Sequence, residues 1–218
     1  YSLSFPTYEE VTSIEKIDTL GNEIWSKTIG GINDDVAYQV DISPNKDIYI
    51  VGKTSSTNFP TTEGSTIFNY NVVGTYDGFI AKFDPTGNTL QYSKMMGGNG
   101  EDWFEGVYVN ERDEAYVAGI SNSANFYTTY GAYQTSSGGG YDAVVVKFNP
   151  GGQNVYYSTY LGGSGDEYYP YWFNSSNVRI AANVREEPII CGVSRSNNYP
   201  VTTDALFSSN PSASGATW

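Results

Sequence analysis

Apolar residues along the chain gather in short runs, among them Ile48-Tyr49-Ile50-Val51, Ala115-Tyr116-Val117-Ala118 and Ala143-Val144-Val145-Val146. Each run is rich in Val, Ile, Tyr or Phe and is bounded by Gly, Pro, Asn or Asp, which is the pattern of a β-strand. No stretch repeats its apolar residues at a period near 3.6 over the length of a helix. The runs are apolar at consecutive positions, so both faces of each strand must be covered. Stacked sheets cover both faces, and radial stacking of four-stranded blades is one way to stack them. The runs at Leu90–Met95 and Val155–Tyr160 are more polar and rich in Tyr, as suits an outer, wetter edge. The pattern predicts no α-helix and about twelve strands in four-stranded units. It predicts a core that includes Ile48, Ile50, Val117, Val144, Val146, Ile189 and Ile190.

The runs recur in a fixed order. Gly-Gly pairs stand at Gly30-Gly31, Gly97-Gly98 and Gly162-Gly163, spaced by 67 and 65 residues. Acidic pairs follow them: Asp34-Asp35, Glu101-Asp102 and Asp166-Glu167. Next comes an apolar run ending in Gly52, Gly119 or Gly192, and then a loop with Asn58-Phe59-Pro60-Thr61-Thr62 or its copies at Asn125 and Asn198. The second half of the unit begins at Asp77-Gly78-Phe79-Ile80-Ala81-Lys82-Phe83-Asp84-Pro85 and again at Asp142-Ala143-Val144-Val145-Val146-Lys147-Phe148-Asn149-Pro150. A turn built on Pro and Gly then leads to the last strand. Self-similarity at such a period is the mark of a repeat architecture.

Taken together, these motifs resemble the SBBP family, the bacterial and archaeal seven-bladed β-propeller repeat. The resemblance covers nearly the whole chain. It implies propeller blades in large exported proteins and carries no catalytic residues over to this sequence. The fold expected is all-β, with four-stranded antiparallel blades in a β-propeller-like repeat. About three blade units are expected, with half-units at both ends. The boundaries are a half blade at 1–28, full repeats at 29–95 and 96–160, and a half blade with its loop at 161–218. The first segment matches the second half of a unit, and the last matches a first half, with Trp218 falling where Tyr76 and Tyr141 stand. Three blades are fewer than a closed propeller usually has. The arrangement therefore reads as a piece of a longer array, as half of a six-bladed pair, or as a unit of a polymer joined head to tail. The filament is the expectation preferred here.

Composition narrows the function. The chain of 218 residues carries 24 acidic and 11 basic residues, for a net charge of −13. Nucleic acid is not an expected partner, because phosphate binding needs clustered Lys and Arg. No membrane insertion is expected, since no apolar run of spanning length occurs. There is no His to act as general base or metal ligand. The single cysteine, Cys191, cannot form an internal disulfide and reads as a small buried hydrophobe. The chain opens at Tyr1 without Met, as a mature or trimmed chain would, and the expected location is extracellular or at the cell surface.

Candidate sites follow from local features. The acidic pairs offer oxygen ligands for Ca²⁺. They lack the further ligands of a binding loop and read instead as capped, solvated turns, with no metal and no cofactor. Paired carboxylates also suit glycosidase chemistry. Their equivalence from unit to unit points to structure, so no catalytic residue is assigned. The third unit carries extra residues, and Tyr168, Tyr169, Tyr171 and Trp172 within them form a candidate ligand-binding loop. Aromatics with polar tips stack on sugar rings or anchor a protein partner. Asn174 begins the sequon Asn174-Ser175-Ser176 and is a candidate glycosylation site. The function expected is a non-catalytic extracellular structural protein of β-propeller repeats. It would form a homo-oligomer or polymer through its end half-blades. The alternative is a propeller module that binds or cleaves carbohydrate, with a glycan as partner.

Overall fold

The computed structural model describes residues 10–62, 76–168, 178–206 and 216–217. Fourteen strands and no helix occupy them, and two of the strands have only two residues. Strands β1 (Thr12–Ile17) and β2 (Glu23–Ile29) form an antiparallel hairpin. The first complete blade is the sheet β3 (Asp35–Ile42), β4 (Ile48–Thr54), β5 (Asp77–Phe83) and β6 (Leu90–Met96). The second is β7 (Asp102–Val109), β8 (Ala115–Ser121), β9 (Asp142–Phe148) and β10 (Val155–Leu161). Both run antiparallel in chain order. A second hairpin, β11 (Arg179–Ala182) with β12 (Pro188–Cys191), and a short pair, β13 (Val193–Ser194) with β14 (Ala216–Thr217), follow. The fold is all-β, and its four-stranded antiparallel sheets are arranged like blades of a propeller-type repeat.

Register shows that the repeat is structural as well as sequential. The first strand of each blade carries a bulge at the same place, between Ala37 and Gln39 and between Phe104 and Gly106. The glycines that end the apolar runs sit opposite these bulges. A Cβ on Gly52 or Gly119 would collide with the backbone carbonyl of Val36 or Trp103. The hairpin β1–β2 pairs as the last two strands of a blade. Its register shift between Lys16 and Ile17 matches the one between Lys82 and Phe83. Likewise β11–β12 pairs as the first two strands, with Arg179 opposite Cys191 as Gln39 is opposite Val51. The turns Ser43–Asp47, Asn110–Glu114 and Asn183–Glu187 share a positive φ at Lys46, Asp113 and Glu186.

Three apolar clusters explain the consecutive apolar runs. Val144 and Val146 face the first blade, in a cluster with Tyr49, Val51, Ile80 and Met96. Their neighbours Ala143 and Val145 face the other way, toward Val178, Ile180 and Ile190 of the second half-blade. Ile48, Ile50 and Phe79 pack against Ile14 and Trp25 of the first half-blade. Each central strand is thus covered on both sides.

The predicted core holds for Ile48, Ile50, Val117, Val144 and Val146, all buried. It fails for Ile189, which is 59% exposed, and Ile190 is only half-buried. Cys191 is also exposed rather than buried. The reason is the same for all three: among the described residues β12 has no third strand along its full length and no sheet over its outer face. One register differs from expectation as well. Trp218 lies outside the described residues, but Ala216 pairs with Ser194. Asp77 and Asp142 hold that place opposite Thr54 and Ser121. The third strand of this blade therefore starts before Trp218 instead of after it.

Two substitutions separate covered from uncovered positions. Val146→Asp puts an unpaired charge into a fully buried site and should cost more than about 4 kcal/mol. Ile189→Asp, on the uncovered face, should change stability by no more than about 0.5 kcal/mol. Equal losses in denaturant melts of the two variants would overturn the burial assignment.

Candidate functional site

The same side chains bind the Gly-Gly turn in every unit. Asp35 Oδ2 accepts hydrogen bonds from Gly31 N at 2.6 Å and Ser56 Oγ at 2.9 Å. Asp102 Oδ2 accepts from Gly98 N at 2.9 Å and Ser123 Oγ at 2.6 Å. In the third unit Glu167 Oε1 accepts from Ser194 and Ser196 Oγ at 2.8 and 2.6 Å. The hydroxyls of Ser56, Ser123 and Ser196 accept from the backbone N–H of Asn33, Gly100 and Gly165. The amide oxygens of Asn58, Asn125 and Asn198 accept from Ile32, Asn99 and Ser164 N. The second glycine of each pair is pressed against the serine. A Cβ on Gly31, Gly98 or Gly163 would lie 2.5–2.6 Å from the serine Cβ.

This geometry corrects the reading of the acidic pairs as solvated turns. The second acid of each pair is buried, with Asp35, Asp102 and Glu167 no more than 2% exposed. The first acid binds an aromatic hydroxyl of the next loop. Tyr76 Oη donates to Asp34 at 3.1 Å, and Tyr141 Oη donates to Glu101 at 2.5 Å. Among the described residues no group of three or more His, Cys, Asp or Glu side chains is placed to hold a metal.

A second set of acids was not foreseen. Asp77 and Asp142 open the third strands and are fully buried. Each meets the turn acid of the following unit. Gly97 lies between Asp77 and Asp102, and Gly162 lies between Asp142 and Glu167. Neither oxygen of Asp77 accepts a hydrogen bond. Burial, and then the charge of Asp102, push the Asp77 carboxyl up to about 7. Burial raises Asp102 to about 6 against the hydrogen bonds from Ser121 and Ser123. Glu167 is raised by burial and by its contact with Asp142. The signal was present in the sequence as an Asp recurring at the head of an otherwise apolar strand.

A third repeated contact ties strand to turn. Lys82 Nζ on β5 lies 3.0 Å from Asp47 and 3.8 Å from Asp113 of the next blade. Lys147 on β9 lies 2.7 Å from Glu114 and 3.8 Å from Glu186. Burial raises Glu114, but hydrogen bonds from Arg112, Lys147 and Asn110 prevail and hold it down at about 2. Each lysine also sits over a ring of the neighbouring strand, Tyr49 or Tyr116.

The aromatic loop yields one described residue. Tyr168 is buried, with its ring 5.2 Å from Trp103 and 5.3 Å from Tyr141. It presents no ring face for a ligand to stack on. Tyr169, Tyr171, Trp172 and Asn174 lie outside the described residues.

A groove of about 580 Å³ lies between the β1–β2 hairpin and the first blade. Ile14, Lys16 and Trp25 form one wall, and Val40, Ile42, Lys46 and Ile50 are among the residues of the other. Val40 and Ile42 are 54% and 52% exposed, whereas Val107 and Val109 at the same places in the second blade are buried. The difference is the covering sheet: the first blade lies over Val107 and Val109, and among the described residues only the β1–β2 hairpin lies beside the first blade on the side of Val40 and Ile42.

No protein-family model matches the chain. An uncharacterized WD repeat-containing protein of Acanthamoeba polyphaga mimivirus is 30% identical to it over 122 residues. The match takes in 54% of this chain and 9% of that protein, so the chain spans only a small part of the relative's length. The similarity agrees with the β-propeller-type repeat seen in the sheets.

The buried carboxylates set a pH dependence. Asp77 and Asp102 titrate higher in the folded chain than the ordinary carboxylate value near 4. The folded state therefore holds their protons more tightly than the unfolded state does. Their stabilising contribution is complete below about pH 4 and is lost as pH rises through about 6 to 7. Glu114 has the opposite sign, but its window lies below that range. The melting temperature should fall between about pH 5 and pH 8, and Asp77→Asn should flatten the fall. An unchanged slope in the variant would show that Asp77 is ionised throughout.

Proposed function

We propose that the chain is a non-catalytic structural protein built of β-propeller repeats of the SBBP type. It is exported, sits outside the cell or on its surface, and assembles through the half-blades at its two ends. The observation that carries this reading is the use made of the acids. Every unit commits an equivalent acid to the Gly-Gly turn, and both complete blades commit another to the same blade-junction contact. A catalytic pair would instead stand out as asymmetric. The open groove beside β1 and the uncovered face of β12 support assembly, since unpaired strand edges and bare apolar faces favour added strands. The acidic composition suits a soluble surface layer. A carbohydrate-binding reading would have to rest on Tyr169, Tyr171 and Trp172, because Tyr168 is packed inward.

Sedimentation velocity of the full chain over a range of concentrations tests this. The expected result is a series of species whose mean mass rises with concentration. A single species of 23.9 kDa at every concentration would overturn the reading.

A further inference from the structure

The lysine-to-turn contact of the complete blades is split between the two half-blades. By register, Lys16 on β1 is the counterpart of Lys82 and Lys147, since it faces Trp25 as they face Tyr92 and Tyr157. Glu187 closes the turn Asn183–Glu187 and is the counterpart of Asp47 and Glu114. In both complete blades the two residues meet within 3.0 Å. In the half-blades they belong to separate sheets. Lys16 and Glu187 are both exposed, and among the described residues neither takes part in an ion pair. Lys46 lines the groove beside Lys16 at the place where Asp113 and Glu186 stand in the other turns, so two lysines and the single acid Glu15 line the groove.

The apolar surfaces are split in the same way. Ile189 and Cys191 correspond by register to Tyr49 and Val51, which face the following blade and are buried there. Val40 and Ile42 correspond to Val107 and Val109, which are buried under the preceding blade. One half-blade thus has an uncovered following face, and the groove has an uncovered preceding face.

We infer that the groove receives the β11–β12 hairpin of a second copy of this chain, in the register that sets Glu187 of that copy beside Lys16 and its Cys191 opposite Ile14. The inference rests on the reading that the half-blades are completed from outside, and it adds the occupant and the register. In the complete blades the second and third strands pair with Val51 opposite Ile80 and Ala118 opposite Val145. The same ladder continued across the joint puts Pro188 opposite Ile17, Cys191 opposite Ile14 and Ser194 opposite Val11, so β1 of the receiving copy takes the edge that Ala216 and Thr217 hold beside Val193 and Ser194 in the single chain. The contact is heterologous, because each copy offers a groove at one end and a hairpin at the other. The joint buries Ile189, Cys191, Val40 and Ile42, and it satisfies Lys16 and Glu187 at once.

Directly opposed residues in an antiparallel pair lie within the Cα separation that a disulfide requires. Under mild oxidation of the full chain, Ile14→Cys should therefore form an interchain disulfide with the native Cys191. Ser13→Cys and Glu15→Cys, which point to the other face, should not. Assembly should also slow alkylation of Cys191. Lys16→Glu or Glu187→Lys alone should weaken assembly on the order of a hundredfold. Mixing the two variants, or combining both changes in one chain, should restore it. Ser13, Glu15, Lys16 and Glu187 are exposed, so the folded state of those variants should match the parent in its melt, while Ile14→Cys, at a position half-buried against Ile48 and Ile50, should melt somewhat lower. Assembly that is indifferent to the charge changes, or that gives no disulfide at position 14, overturns this register while the assembly reading stands. An intrachain disulfide shows that the chain closes on its own half-blade and overturns the second copy as occupant. A parent chain that stays monomeric overturns both.

Discussion

A strand that is apolar on both faces cannot stop at the surface of the sheet stack. This constraint governs the chain. Val144 and Val146 point one way and Ala143 and Val145 the other, so each blade needs a neighbour on either side. In the middle of the chain the neighbours are supplied by the repeat itself. At the two ends half-blades supply cover for part of the face and leave the rest open. Val40, Ile42 and Ile189 are exposed where that cover is missing among the described residues. Burial of large apolar side chains contributes about 1.5–3 kcal/mol each. Leaving several of them in water gives the ends a standing drive toward added strands.

The junctions between blades are held by polar contacts that repeat with the apolar ones. Glycine at the turn permits serine and asparagine from the adjoining loop to approach the backbone closely. The acid behind them fixes the turn, and the lysine of the third strand fixes the tip of the first hairpin. Two acids from successive units are brought together in the interior, at Asp77 with Asp102 and at Asp142 with Glu167. Two ionised carboxylates in such a place repel each other and are poorly solvated, which raises the proton affinity of Asp77, Asp102 and Glu167.

Much of this was legible in the sequence. The strands, their grouping in fours and most of the core follow from runs of Val, Ile and Tyr between turn residues and from their recurrence. The errors share one origin. Ile189, Ile190 and Cys191 carry the residue types of an inner strand, but burial depends on a third strand and a facing sheet that the described residues do not supply. The acidic pairs read as solvated because Asp and Glu usually are. Their burial arises from the Gly-Gly turn folding onto the serine of another loop, a long-range contact that local pattern does not contain. Asp77 and Asp142 were visible as recurring residues, but their meeting with acids of the next unit depends on how blades stack. The lysine and acid of the strand-to-turn contact are separated by more than thirty residues in each blade, and only the register joins them.

The proposed completion of the end blades makes a demand on two strands that are far apart in the chain. Amide hydrogen exchange resolved to single segments, followed as the concentration of the full chain is raised, measures that demand directly. The account predicts that β1 and β12 gain protection together while β5 and β9, paired on both sides already, keep the rates they have. Exchange in β1 and β12 that is independent of concentration, or protection gained by one of them without the other, would contradict it.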